Sequence, residues 1–108
     1  VSKTKRQRAI SDTLETFIPR VTYLDASEIR RKANQPHLRH LPVRIAVLLA
    51  TTSYVRHQYT NYDDLLDEGL DRDAARYCVA HDMETIIGEW GGNITAEELL
   101  AAPQESDE

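Results

Sequence analysis

The densest gathering of chemically capable side chains lies in residues 56–76, where Arg56 and His57 precede Tyr62 and Asp63, and Arg72 and Arg76 follow at a spacing of one helical turn. Guanidinium forks suit phosphate or carboxylate, so Arg56, His57, Arg72 and Arg76 pointed together would form an anion site. The same residues read equally as a structural clamp. Asp63 and Asp67 have the spacing of the two arginines and would pair with them across a helix corner, while Tyr62 packs its ring and keeps its hydroxyl at the rim. The clamp is the reading preferred, because structural ion-pair networks commonly imitate functional sites.

Two further donor pairs have the spacing of metal ligands, His37 with His40 and Cys78 with His81, and together they would compose a zinc site of one cysteine and three histidines. Against this, Cys78 flanks the apolar stripe of a helix, where a small buried thiol is ordinary, and the two histidines fall in a polar stretch. No metal and no cofactor is therefore assigned. A Cys78 nucleophile served by His81 or His57 lacks any sign of an oxyanion hole or a glycine-rich phosphate loop. A metal-dependent or cysteine enzyme is thus the third reading, and the first is non-enzymatic.

Phosphate is the more substantial target. Lys3, Lys5, Arg6 and Arg8 form one basic group, and Arg30, Arg31, Lys32, Arg39 and Arg44, with His37 and His40 between them, form a second. The net charge of −5 conceals this. Residues 1–59 carry eleven Lys and Arg against four Asp and Glu, a net of +7, whereas residues 60–108 carry two against fourteen, a net of −12. Either the two signs neutralise each other, within one chain or head to tail between chains, or the basic half faces outward and meets an anion. The short helix, the turn at Gly69 and the following helix mimic a helix-turn-helix, but Asp71, Asp73, Asp82, Glu84 and Glu89 on the would-be recognition helix would repel DNA. Nucleic acid, if bound, must be held by the first half.

The elements that position these residues are all helical. Ile10, Leu14, Phe17, Ile18 and Val21 predict an amphipathic helix over 4–18, closed by Pro19. Asp25 with Glu28 reads as the capped start of a short helix over 26–33, whose thin apolar face is Leu24, Ile29 and Ala33. Residues 34–41 read as a polar connection, and 21–24 as the one β-like run. Pro42 then opens a helix over 43–59 that is apolar nearly all round at Ile45–Ala50 and therefore central. Thr60 caps a short helix over 62–68 ended by Gly69, and Asp71 caps another whose stripe is Ala75, Val79, Met83, Ile86 and Trp90. Thr95 and Glu98 have capping-box spacing for a last brief helix to Ala101, before an acidic tail over 103–108.

At 108 residues with 41% apolar and 29% charged side chains, the chain predicts one compact all-α domain over 1–102, a bundle of five to six helices. A single cysteine closes no intrachain disulfide, no apolar run is long enough to cross a bilayer, and no hydrophobic signal segment follows the basic start, so a cytoplasmic setting without membrane is expected.

The stretch from Arg56 to Val79 resembles the DUF2293 family of domains of unknown function, on a pattern matched at Arg56, His57, Thr60, Tyr62, Asp63, Leu65, Leu66, Gly69, Arg72, Ala75, Arg76 and Val79. This covers about a quarter of the chain. The resemblance implies kinship and no activity. The function expected is that of a small non-enzymatic binding or adaptor domain with a protein partner or self-association. The alternative is nucleic-acid binding through the basic half.

Overall fold

The computed structural model describes residues 4–102, so Lys3 and the acidic tail lie outside the described residues. Seven helices form among them, and no strand: α1 (Lys5–Phe17), α2 (Tyr23–Ala33), α3 (Pro36–Arg39), α4 (Val43–Tyr59), α5 (Tyr62–Asp67), α6 (Arg72–Glu89) and α7 (Ala96–Ala101). The all-α expectation holds, with seven helices in place of five or six. The additional one is α3, in the stretch expected to be a polar connection. It is nucleated by Pro36 at its first position and anchored by Leu38, which is buried in the core.

The helix starts follow from short polar side chains. Thr4 and Gln7 form a capping box at α1, the threonine hydroxyl accepting from Gln7 N at 3.1 Å and Gln7 Oε1 accepting from Thr4 N at 2.9 Å. Asp71 caps α6 by accepting from Ala74 N at 2.8 Å, and Thr95 with Glu98 caps α7. The start of α2 corrects the sequence reading. Its cap is Thr22, not Asp25, so the helix opens at Tyr23 and absorbs the run read as β-like. With that register Asp25, Ala26 and Ala33 share a face with Ile29 and are buried, while Leu24 falls outside it and is 76% exposed.

Helix α4 is the centre, as its apolar sequence requires. It buries Ala46, Val47, Leu49, Ala50, Thr51, Thr52, Ser53, Val55 and Arg56, and α1, α2, α5 and α6 all pack on it. Its broadest partner is α2, the helix whose apolar face reads as thin in the sequence. One continuous core joins Ile10, Leu14 and Ile18 to Ile29, Val47, Val55 and Tyr62, and to Val79, Met83, Ile87 and Leu99. On α6 the deepest residue after Met83 is Ile87, not Ile86, which is half-buried.

Two turns close the acidic side onto the core. Gly69 (φ +107°) reverses the chain between α5 and α6 with a conformation that side chains rarely adopt. Gly91 (φ +92°) ends α6 where a Cβ would come within 2.9 Å of the Pro19 ring, and beside it Arg20 N donates to Trp90 O at 2.8 Å. Arg20 also caps the end of α6, its Nε and Nη2 donating to Glu89 O and Gly88 O at 3.3 and 3.4 Å. No helix among the described residues is long and apolar enough to cross a membrane.

Candidate functional site

The Arg56–Asp63 segment folds into a tight corner between α4 and α5. Thr60 makes the corner: its hydroxyl donates to Arg56 O and accepts from Tyr62 N at 3.2 Å. Tyr62 is completely buried, the Arg56 guanidinium stands 5.5 Å from its ring centroid, and the His57 ring meets it edge-on at 5.3 Å. His57 Nδ1 lies 2.8 Å from Asp63 Oδ1. Arg56, His57, Tyr62 and Asp63 are thus brought together, with Arg56 only 3% exposed. The Tyr62 hydroxyl, expected at the rim, is instead shielded from solvent and has no hydrogen-bond partner, because the whole side chain is part of the core. On α6, Arg72 is exposed in the first turn and Arg76 Nη1 lies 3.8 Å from Asp73 Oδ1 on its own helix.

The metal-ligand candidates do not converge. No group of three or more His, Cys, Asp or Glu able to hold a metal ion occurs among the described residues. His37 and His40 are exposed on and just after α3, and His81 Nδ1 lies 3.8 Å from Glu84 Oε1 on α6. Cys78, expected beside the buried stripe as a core thiol, is exposed, since it follows Tyr77 (73% exposed) on the outer face of α6.

A polar cluster that the sequence reading overlooked joins α2 to the end of α4. Asp25, 7% exposed, accepts from three hydroxyls: Thr22 at 2.6 Å, Tyr54 at 2.5 Å and Tyr59 at 2.8 Å. Tyr59 in turn stands edge-on to Tyr54 at 6.2 Å and to Trp90 at 5.6 Å, so the cluster also reaches the end of α6. Burial pushes the Asp25 carboxyl up, but the three hydroxyl donors together outweigh it and hold the group below the usual carboxylate range. The Tyr54 phenol is raised by burial first and then by its bond to Asp25; the Tyr59 phenol is raised mainly by that bond and next by burial. The signal was legible in principle. A carboxylate one turn before the core residue Ile29 must face inward and find donors, and Tyr54 and Tyr59 are the hydroxyl-bearing aromatics on the central helix.

The basic residues gather at the opposite end of α2. Arg6 Nη2 donates to Leu38 O at 3.1 Å, which ties the first turn of α1 to α3. Arg39 Nε reaches Asn34 O at 3.4 Å, tying α3 back to the end of α2. Lys5, Arg6, Arg8, Arg30, Arg31, Lys32 and Arg39 lie on the three segments that these contacts bring together, with His37 and His40 on and just after α3. Arg31 Nη2 meets Glu28 Oε1 at 3.1 Å and Arg30 Nη2 meets Ser27 Oγ at 3.1 Å. A crevice of about 240 Å³ between α1 and α2 is lined by Gln7, Ile10, Ser11, Arg30, Arg31 and Asn34. Arg44 stands apart. With Asp12 it edges a larger groove of about 800 Å³ between α1 and α4, whose walls include Phe17, Val43, Val47 and Leu48. The acidic helices make their main contacts elsewhere: α5 and α7 lie on α6, α5 and α6 pack on α4, and the end of α6 meets the connection between α1 and α2 at Pro19 and Arg20.

The fold defines a small all-α domain with a central apolar helix. The chain belongs to the DUF2293 family of uncharacterized conserved proteins, whose model matches residues 13–91. Comparison with curated proteins and with solved structures gives no match.

Proposed function

We propose that the domain is a non-enzymatic binding module whose ligand is the phosphate backbone of nucleic acid, held by the basic end. The observation that carries this reading is the convergence of three basic segments, the start of α1, the end of α2 and α3, with the acidic helices α5 to α7 packed away from them. Neutralisation within one chain would require the acidic helices to lie against those segments. A surface carrying about five to seven cations predicts affinity that falls steeply with salt, with a log–log slope of roughly −4 to −6.

The test is fluorescence anisotropy with labelled single-stranded DNA, duplex DNA and RNA between low and physiological salt. The combined reversal Arg30→Glu, Arg31→Glu and Lys32→Glu is expected to remove binding. Retention that ignores salt, or none on any of the three probes, rejects the reading.

A second reading, docking of a protein partner or a second copy, is favoured by one feature: Tyr23 and Leu24 stand 77% and 76% exposed side by side at the start of α2. Light scattering across a concentration series checks self-association, and Leu24→Glu should abolish it.

A further inference from the structure

The groove of about 800 Å³ between α1 and α4 is where the central helix is incompletely covered. A helix that is apolar nearly all round is ordinarily enclosed on every side. Ala46, Val47, Leu49 and Ala50 are buried, but Val43, Ile45 and Leu48 are only half-buried, and with Phe17 of α1 they line the groove. The threonines of the α1 wall direct their hydroxyls into their own helix, Thr13 Oγ1 donating to Ala9 O at 2.8 Å and Thr16 Oγ1 to Asp12 O at 3.1 Å. The charged groups, Asp12 on α1 and Arg44 on α4, are exposed at the two rims and do not converge as polar groups do in a site for a small molecule. The groove therefore offers accessible apolar surface between one acid and one base.

The same chain carries a convex counterpart. Tyr23 and Leu24 are the most exposed large apolar side chains among the described residues, at 77% and 76%, and both stand on the first turn of α2. Further along that helix Glu28 and Arg31, both exposed, meet at 3.1 Å, so the knob, like the groove, is flanked by one acid and one base. We infer that the groove receives Tyr23 and Leu24 of a second copy of this chain. The inference rests on the docking reading of that exposed pair and names the surface on which it lands. The connection over 18–22 keeps Phe17 in the groove within about 20 Å of Tyr23 on the knob. One two-fold axis can then serve both contacts: each copy inserts its knob into the groove of the other, and the assembly closes at the dimer. Glu28 is set toward Arg44 of the facing copy and Arg31 toward Asp12, pairs at a solvated rim that fix register more than they add affinity.

The test is sedimentation equilibrium of the full chain from micromolar to millimolar concentration. A monomer–dimer equilibrium is expected. Leu24→Ala should weaken it by about a hundredfold or more, because each dimer loses the side chain twice. On the other face, Leu48→Glu places a carboxylate in the groove and should leave a monomer. Thr16→Arg, at an exposed position outside the core, blocks the same groove without endangering the fold and should do likewise. An equimolar mixture of Leu24→Glu and Thr16→Arg proteins is the most specific probe. Each alone should be monomeric, whereas in the mixture one intact knob meets one intact groove and the new carboxylate meets the new guanidinium, so dimers should reappear.

A parent protein that is monomeric throughout overturns the inference and leaves the exposed pair to a different protein. If Leu24→Glu is monomeric while folded Thr16→Arg and Leu48→Glu proteins dimerise as the parent does, the groove is overturned and self-association through the pair stands. Mass that keeps rising past the dimer, or a mixture that stays monomeric, overturns the reciprocal contact.

Discussion

At the start of α2 a carboxylate is enclosed by three hydroxyl donors, whereas at its end arginines, amides and a serine line a crevice with no carboxylate among them. The two regions share a helix and differ in one respect, whether the polar groups are matched. Asp25 is matched: each of its hydrogen bonds comes from a named side chain, and two of those side chains belong to the central helix. Such an arrangement stabilises the packing of α2 on α4 and has nothing left to offer a ligand. The basic end holds cations in excess and, apart from the shielded Ser11 hydroxyl, it lies at the surface, where an unmatched charge is solvated at little cost in the free protein. Closed polar clusters hold folds together, and open ones are where a partner of opposite chemistry is expected.

The comparison breaks most visibly at the basic end. Reversing Arg30, Arg31 and Lys32 together is expected to lower nucleic-acid affinity by about two to three orders of magnitude at low salt. The melting temperature should fall by no more than a few degrees, because none of the three belongs to the core. Loss of fold in this variant, seen by circular dichroism, would show that the basic end is structural after all.

At the other end, Asp25→Ala should do the reverse. Removing the acceptor leaves the half-buried Tyr54 hydroxyl without its partner and unties α2 from α4, and the expected cost is about 2–3 kcal/mol in urea denaturation, with binding unaffected. The same residue sets the response to acid. Its folded pKa lies below the unfolded value, so its contribution is complete above about pH 5 and is lost as pH falls through about 4 and on through the folded value. Tyr54 and Tyr59 are shifted the other way. Their contribution is complete below about pH 10 and is lost as pH rises through their elevated folded values. Asp25→Asn should flatten the acid limb of a stability–pH curve; an acid limb unchanged in that variant would assign it to other carboxylates.

Most of the helical framework was legible because it is written in local signals. The Pro19 stop, the Asp71 cap, the Thr95–Glu98 box and the apolar run in α4 each act within a turn or two, and the structure places the corresponding boundaries within a residue or two. Asp25 was misread for the same reason. Judged locally, an acid three residues before Glu28 is a cap, and only the partnership with Tyr54 and Tyr59, 29 and 34 residues away, makes it a buried acceptor. Tyr62 was likewise assigned a surface hydroxyl because nothing in its neighbours reveals that α5 tucks under Arg56. For the basic residues the sequence supplied identities and left open whether they gather. Their gathering is decided by α3, whose Leu38 anchors the chain where Arg6 can reach it.

Tyr59→Phe sharpens the contrast at smaller scale, since it removes one donor to Asp25 and keeps the edge-on contacts with Tyr54 and Trp90. A loss of about 1 kcal/mol is expected, the worth of one hydrogen bond whose carboxylate keeps two others.

Ser11→Ala carries the smallest expected change in stability and the most pointed one. A buried hydroxyl with no partner stabilises nothing, and alanine is the better helix former, so the variant should match or exceed the parent by up to about 0.5 kcal/mol. A deletion that costs about 1 kcal/mol at Tyr59 and nothing at Ser11, two hydroxyls on helices of the same core, would separate the closed cluster from the open one by measurement. A stability loss in Ser11→Ala comparable to that in Tyr59→Phe would mean that the Ser11 hydroxyl is already satisfied in the free protein, and the distinction between the two ends of α2 would fail at its most specific point.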